Sequence, residues 1–397
     1  MGGTLLLSLK NKSPKSWYRV SVAAHYFIYG LVFASWASRI PDIKQALGMN
    51  EAELGGVLFF IPIGQMTGMA LSGWLVNKFG SKSILLKGAI LYPSMLVLLG
   101  LAGTLWQLSI GLFLFGISSN LFNISVNTQA VGVERLYKGS IMASFHGLWS
   151  LAGFIGGLIS TLMVAMYISP FTHFCIILTL TLLILMAMSG SVLPRDEQRL
   201  EDKSSISKNE RKKFTLPDKQ ICILGLIAFV SLVCEGTMFD WSSVYFEEVI
   251  NPPQNLVRLG YIAAMFSMAG GRFAADSLIT RFGVVNILKL SGTTVACGLL
   301  LSTVFPTLPT ATIGFFLIGL GVSAIVPVTY SLAGRSKTMQ PSVAIAIVSS
   351  IGFLGFLLGP PVIGFIAHAT SLRWAIGSIA IIALLITILA PQLKKEN

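Results

Sequence analysis

Long apolar runs separated by short polar breaks recur along the whole chain. A helix that crosses a bilayer needs about 20 mostly apolar residues. Twelve stretches meet that length: 18–40, 54–76, 83–103, 107–129, 140–166 and 170–193, then 220–246, 257–277, 284–305, 308–331, 341–368 and 371–391. Backbone groups in lipid have no water to bond, so stretches of this kind are helices. The longest polar interruption, 194–219, lies near the midpoint and holds eight Lys/Arg and six Asp/Glu in 26 residues. A mixed-charge segment between two apolar halves reads as a solvated linker. The pattern therefore predicts an all-α membrane protein of twelve transmembrane helices. An N-terminal six-helix bundle covers 1–193, a cytoplasmic linker 194–219, and a C-terminal six-helix bundle 220–397.

Composition agrees. Only 11% of the 397 residues are charged, against about 25% in soluble domains. The net charge of +12 is spread between apolar runs rather than gathered on one patch, which argues against nucleic acid as a partner. With a cytoplasmic N-terminus, Lys78, Lys82, Lys87, Arg135, Lys138, the linker, Arg281, Lys289, Arg335, Lys337, Lys394 and Lys395 all lie on the inner side. Arg39, Lys44, Arg258 and Arg373, four of 28 basic residues, lie outside. The bias predicts that both termini are cytoplasmic. The first apolar run is too long for a cleavable signal. Cys175, Cys222, Cys234 and Cys297 sit in apolar runs without paired spacing, as small hydrophobes do. No phosphate loop, H-E-x-x-H, G-x-S-x-G or Cys/His cluster occurs, so no catalytic residues, cofactor or metal site are expected.

The halves echo one another. Gly73, with Asn77, Lys78 and Gly80, follows the second span; Gly271, with Arg272, Asp276, Arg281 and Gly283, follows the eighth, 198 residues on. Arg135 and Arg335 are 200 apart, and Trp36 and Trp241 are 205 apart. Near-constant offsets predict a duplicated six-helix unit, a frequent transporter design.

Twelve spans, a charged central loop and a glycine-acid-basic-glycine motif after spans two and eight resemble the major facilitator superfamily over essentially the whole chain. Ser38–Lys44, Val133-Glu134-Arg135 with Ser144-Phe145-His146, and Gly355–Pro361 resemble the YbjJ/MosC-like bacterial branch, distantly similar to fucose permeases. The resemblance implies a cavity lined by spans 1, 4, 7 and 10, and a moving interface of spans 2, 5, 8 and 11. It also implies a working monomer. Asn77 stands where the family's loop motif usually carries Asp, and Ser81 where it carries Arg or Lys, which weakens the charge latch attributed to that motif.

Several polar residues interrupt the spans. Glu235 lies near the middle of the seventh. An intramembrane carboxylate is costly and is a functional candidate by default; beside a cavity it suits proton coupling, and its alternative is a protonated acid bonded to a neighbouring helix. Asp240, one turn further out, is a second coupling candidate or a wet outer-rim residue. His146 is a proton relay or a packed histidine. His25, Tyr29 and Trp36 share one helical face suited to stacking on a sugar or polyol, or to anchoring and packing. Asn120, Asn123 and Asn127 form a stripe that faces a cavity or another helix rather than lipid. Tyr330, Thr329 and Pro327 line the cavity and permit bending. Arg39 and Asp42 form a local salt bridge at the outer end. Small residues recur every four positions at Gly64, Gly68 and Ser72, at Gly153 and Gly157, at Ala263, Ser267 and Gly271, and at Gly355 and Gly359, predicting close helix approach at the moving interface.

The reading is a secondary transporter in the bilayer, working by alternating access and carrying a small, neutral, hydroxylated solute together with protons. Its alternatives are a proton-coupled efflux antiporter for amphiphilic compounds and a membrane sensor or scaffold without turnover.

Overall fold

The structure, a computed structural model, describes residues 14–137, 141–194, 217–336, 338–339 and 341–393. Most of the 194–219 linker, Lys138, Lys337, Lys394 and Lys395 lie outside the described residues, as does the side chain of Asp276.

All twelve expected spans are helical. The first is α1 (Pro14–Ala37), extended by a short outer helix α2 (Ile40–Leu47). The second is split into α3 (Glu51–Leu58) and α4 (Phe60–Phe79). Then follow α5 (Ser81–Leu99), α6 (Leu105–Glu134), α7 (Met142–Ala165) and α8 (Pro170–Met188). The C-terminal half opens with α9 (Lys219–Tyr245), which ends in a π turn over Phe246–Ile250. It continues with α10 (Leu259–Phe282), α11 (Val284–Val304), a split tenth span α12 (Leu308–Val322) and α13 (Ile325–Gly334), α14 (Pro341–Ala369) and α15 (Leu372–Leu389). Eleven of these spans are long and apolar enough to cross a membrane. The remaining one, α10, has 24 residues but also carries Arg272, Asp276 and Arg281.

Prolines set the breaks. A proline ring clashes with the carbonyl four residues earlier and offers no N–H to it. Pro62 faces Leu58 in this way, and the second span breaks at Phe59. Pro327 faces Ser323, and the tenth breaks between Val322 and Ile325. Pro41 sits in the first turn of α2, where a missing N–H is harmless. Asn50 and Glu53 cap α3 reciprocally, Asn50 accepting from the Glu53 N–H at 2.9 Å.

The two six-helix bundles pack by one scheme. In the first, α1 lies on α7, α4 on α6, α5 on α6, and α5 on α8. In the second, α9 lies on α14, α10 on α12, α11 on α12, and α11 on α15. The bundles meet where α7 packs on α10 and α3 on α14.

Glycines carry much of this packing, in a different distribution from that expected. A Cβ on Gly64 would lie 2.1 Å from the Phe113 carbonyl oxygen, and one on Gly355 2.2 Å from that of Phe229. Gly271 faces Ser323. These contacts lie within a bundle, not at its moving face. Between the bundles, Gly153 and Gly157 receive Met265 and Ile262, while Gly55 and Gly364 lie against each other. Small residues are selected wherever backbones approach, which includes fixed as well as moving contacts.

The two bundles meet closely at the end that carries α2 and α3. Pro360, Pro361 and Gly364 of α14 press on Gly55 of α3 at the outer end. Helical spacing carries the same stripe inward through Ser350, Ile347, Ala346 and Val343. These residues, with Ile351, line a shallow open pocket.

Candidate functional site

Glu235 and Arg272 meet at the middle of the bundle. Glu235, 7% exposed, lies past the midpoint of α9, with Ser231 the one polar residue in the two turns before it. Its Oε1 accepts from Nη2 of Arg272 on α10 at 3.1 Å. Nη1 of the same guanidinium donates to the Ser150 hydroxyl of α7 at 2.6 Å, and its plane lies 5.5 Å from the Trp149 ring centre. One side chain thus ties the seventh and eighth spans of one bundle to the fifth of the other. Two opposite buried charges leave the centre neutral, and removing either one leaves the other unpaired, at a cost of roughly 3–5 kcal/mol.

An aromatic wall continues from that pair. Phe239, four residues beyond Glu235, packs edge-on against Trp149 at 5.8 Å and against Phe33 at 5.2 Å. Phe356 of α14 approaches Phe239 at 6.4 Å. Tyr29 lies 6.3 Å from Trp149, and its hydroxyl is 3.2 Å from that of Ser119. Below this wall, toward the inner end, the Tyr26 hydroxyl donates to Asn127 Oδ1 at 2.6 Å, and the Asn127 amide donates to the Asn123 carbonyl oxygen at 2.8 Å.

The structure distributes the expected residues unevenly around this centre. His25, Tyr29 and Trp36 do share a face, but it turns toward the first bundle's own interior: His25 lies against Phe122 and Trp36 against Phe115. His25 is fully buried, with Nδ1 2.7 Å from the Ser21 carbonyl. Only Tyr29 of the three reaches the central wall. Asn120 sits against Gly68 of α4, while Asn127 bonds both Tyr26 and Asn123, so the stripe serves two neighbours. Tyr330 bonds Ser349 and lies in electrostatic range of Glu235. His146 is exposed, edge-on to Tyr26 at 5.3 Å, and in electrostatic range of Arg272. Asp240 is 5% exposed, near Tyr261, and so is not a wet rim residue.

The loop motifs need a shifted register. Gly80 and Gly283 both take left-handed φ, 83° and 77°, where spans two and eight turn into three and nine. They are 203 residues apart (283 − 80), which pairs Gly73 with Asp276 and Lys78 with Arg281. Gly271 and Arg272 therefore lie within helix α10 and not in its loop motif. Asn77 lies in the last turn of α4. Lys78 stacks over Trp74 at 4.6 Å and Arg281 over Phe282 at 5.3 Å.

A second charged network closes the outer end, and sequence spacing gave only its local half. Arg39 donates to Asp42 at 2.9 Å as expected. Asp42 also pairs with Arg258 of the other bundle, and Arg258 Nε donates to the Ser38 carbonyl at 3.0 Å. Lys44 pairs with Glu248 across the same divide. Arg39 is held by His173 at 3.2 Å and the Ile168 carbonyl at 2.8 Å. Among the described residues no group of three or more His, Cys, Asp or Glu could hold a metal ion.

Comparison with known proteins gives the architecture a family. A family model described as Major Facilitator Superfamily matches residues 22–340. An MFS-type transporter of Yersinia pestis, itself described as uncharacterized, is 32% identical over 367 residues, covering 92% of this chain and 93% of its own. The membrane protein MosC of Rhizobium meliloti is 30% identical over 356 residues, covering 90% and 85%. Among solved structures, the nucleoside transporter NupG superposes with a TM-score of 0.71 at 12% identity, covering 97% of this chain and 100% of NupG.

Proposed function

The chain belongs to the major facilitator superfamily and is a multi-pass membrane transporter, and from that premise we propose that it imports a small hydroxylated solute together with a proton. It does so by alternating access in the bacterial cytoplasmic membrane, as a monomer with both termini inside. The observation that carries this reading is Arg272, bonded at once to Glu235 in its own bundle and to Ser150 in the other. An intramembrane acid tied to the partner bundle through one guanidinium links its protonation to the contact between the moving bodies. Tyr29, Trp149 and Phe239 offer C–H stacking surfaces beside it, and Asn123 and Ser119 offer groups that bond hydroxyls. The expectation of a neutral solute rests on a central acid, an Asn stripe and an aromatic face; Arg272 adds a cation beside that acid.

The test is uptake into proteoliposomes under an inward proton gradient, from a defined mixture of sugars, polyols, sugar acids and hydroxy acids. The reading expects at least one compound to accumulate above its external concentration and a protonophore to abolish that accumulation. Accumulation indifferent to the protonophore would remove proton coupling. Extrusion of amphiphilic cations alone would replace import by efflux.

A further inference from the structure

Arg272 is the cation at the meeting point of the fifth, seventh and eighth spans, and its contacts leave capacity unused. A guanidinium presents five donors in a planar fork. Glu235 takes one of them, through a single oxygen, and Ser150 another. The side chain of Arg272 is 18% exposed against 9% for Glu235, so the cation is the more accessible member of the pair. An indole face lies beside it, and cation–π contact holds a guanidinium in one plane without consuming its donors. Carboxylates bind such a fork best through two parallel hydrogen bonds, and Glu235 does not occupy it that way.

A guanidinium at membrane depth needs an anionic neighbour throughout a transport cycle. Glu235 supplies one when the site is empty. We propose that the transported solute carries a carboxylate, that this carboxylate takes over Arg272 in the loaded state, and that the displaced Glu235 holds the co-transported proton. The proposal rests on the transport reading above and names its substrate class: a small hydroxylated monocarboxylate such as a sugar acid or a hydroxy acid. Charge balances at both ends. The empty site holds one carboxylate and one guanidinium, summing to zero. The loaded site holds a neutral carboxylic acid, the guanidinium and the solute's carboxylate, again summing to zero. One proton therefore accompanies each solute anion, and no net charge crosses. The other titratable groups facing the pair are His146 from α7 and Tyr330 from α13, with Asp240 further out on α9. Neither His146 nor Tyr330 touches Arg272 through a hydrogen bond in the way that Glu235 does.

Matched compounds test the claim on the purified full chain in detergent: gluconate against sorbitol, glucuronate against glucose, and 4-hydroxybenzoate against 4-hydroxybenzyl alcohol. The readout is the thermal unfolding midpoint as each compound is titrated, at mildly acidic and mildly alkaline pH. The expected result is stabilisation by the acid member of at least one pair, with apparent affinity about ten-fold better on the acidic side. Glu235→Gln should remove that pH dependence while keeping the binding. Arg272→Gln should abolish binding. If that variant does not fold, Arg272→Lys keeps the charge without the fork and should weaken binding by about ten-fold. Equal stabilisation by the neutral partner would overturn the carboxylate and leave proton-coupled import standing. Acid binding that ignores pH in the unsubstituted chain would overturn the exchange with Glu235. Stabilisation by none of the three acids at either pH would overturn the substrate class.

Discussion

Replacing Asp42 by Asn should open the outer end of the molecule. In the structure the Asp42 carboxylate joins two guanidinium groups, Arg39 on its own bundle and Arg258 on the other, and Arg258 is 1% exposed. An amide keeps the shape but leaves the two cations facing each other. Loss of one partner from a buried pair costs roughly 3–5 kcal/mol, and discounting for the partial exposure of Asp42 leaves about 2 kcal/mol for the pair with Arg258. The Arg39 contact lies within one bundle and is lost whichever way the molecule faces. The Arg258 contact exists only while the outer end is closed, so its share shifts the conformational equilibrium. At tenfold per 1.4 kcal/mol, a shift of about 2 kcal/mol raises the outward-open population about thirty-fold relative to the closed one. Spin labels on exposed Gln45 and Asn255 straddle the divide, on a background without the exposed cysteines Cys222 and Cys297. Double electron–electron resonance should then report one short distance for the parent and an added longer population for Asp42→Asn. Superposable distributions would refute the assignment of Asp42 and Arg258 as the outer seal.

Other substitutions probe separate parts of the account. Lys44→Gln removes the second cross-bundle pair, and the same labels should show a smaller opening, worth about 1 kcal/mol, because this pair is more exposed. Gly64→Ala places a methyl against the Phe113 carbonyl, and the unfolding midpoint should fall with a loss of about 1–3 kcal/mol while labelled distances stay unchanged. Pro327→Ala should restore the missing hydrogen bond to Ser323 and straighten the tenth span. Uptake should then show a lower maximal rate at similar half-saturation. Trp149→Ala removes the ring beside Arg272, and solute affinity should drop by a factor corresponding to about 0.5–2 kcal/mol.

The twelve spans were legible in the sequence because bilayer thickness fixes their length and lipid enforces their helicity. The break at Pro327 was legible for the same kind of local reason. Arg272 was grouped with the loop motif because pairing Gly73 with Gly271 sets the repeat at 198, although Arg272 lies inside the expected span and α10 continues to Phe282. The true marker of that turn is the left-handed glycine, Gly80 or Gly283, and the offset between these glycines sets the register of the repeat. Helical spacing correctly grouped His25, Tyr29 and Trp36, but spacing says which residues share a face and nothing about what the face meets. The partnership of Asp42 with Arg258 spans 216 residues, and no local pattern marks it. Glu235 stood out as an intramembrane acid; its cation could be found only by bringing α9, α10 and α7 together.

The most direct measurement separates exchange from accumulation in proteoliposomes bearing Glu235→Gln. If Glu235 carries the proton, the variant should still exchange labelled for unlabelled solute across the membrane, because loading and reorientation no longer wait for protonation. It should fail to concentrate solute when a proton gradient is imposed. Gradient-driven accumulation by Glu235→Gln equal to that of the parent would contradict the account at its centre.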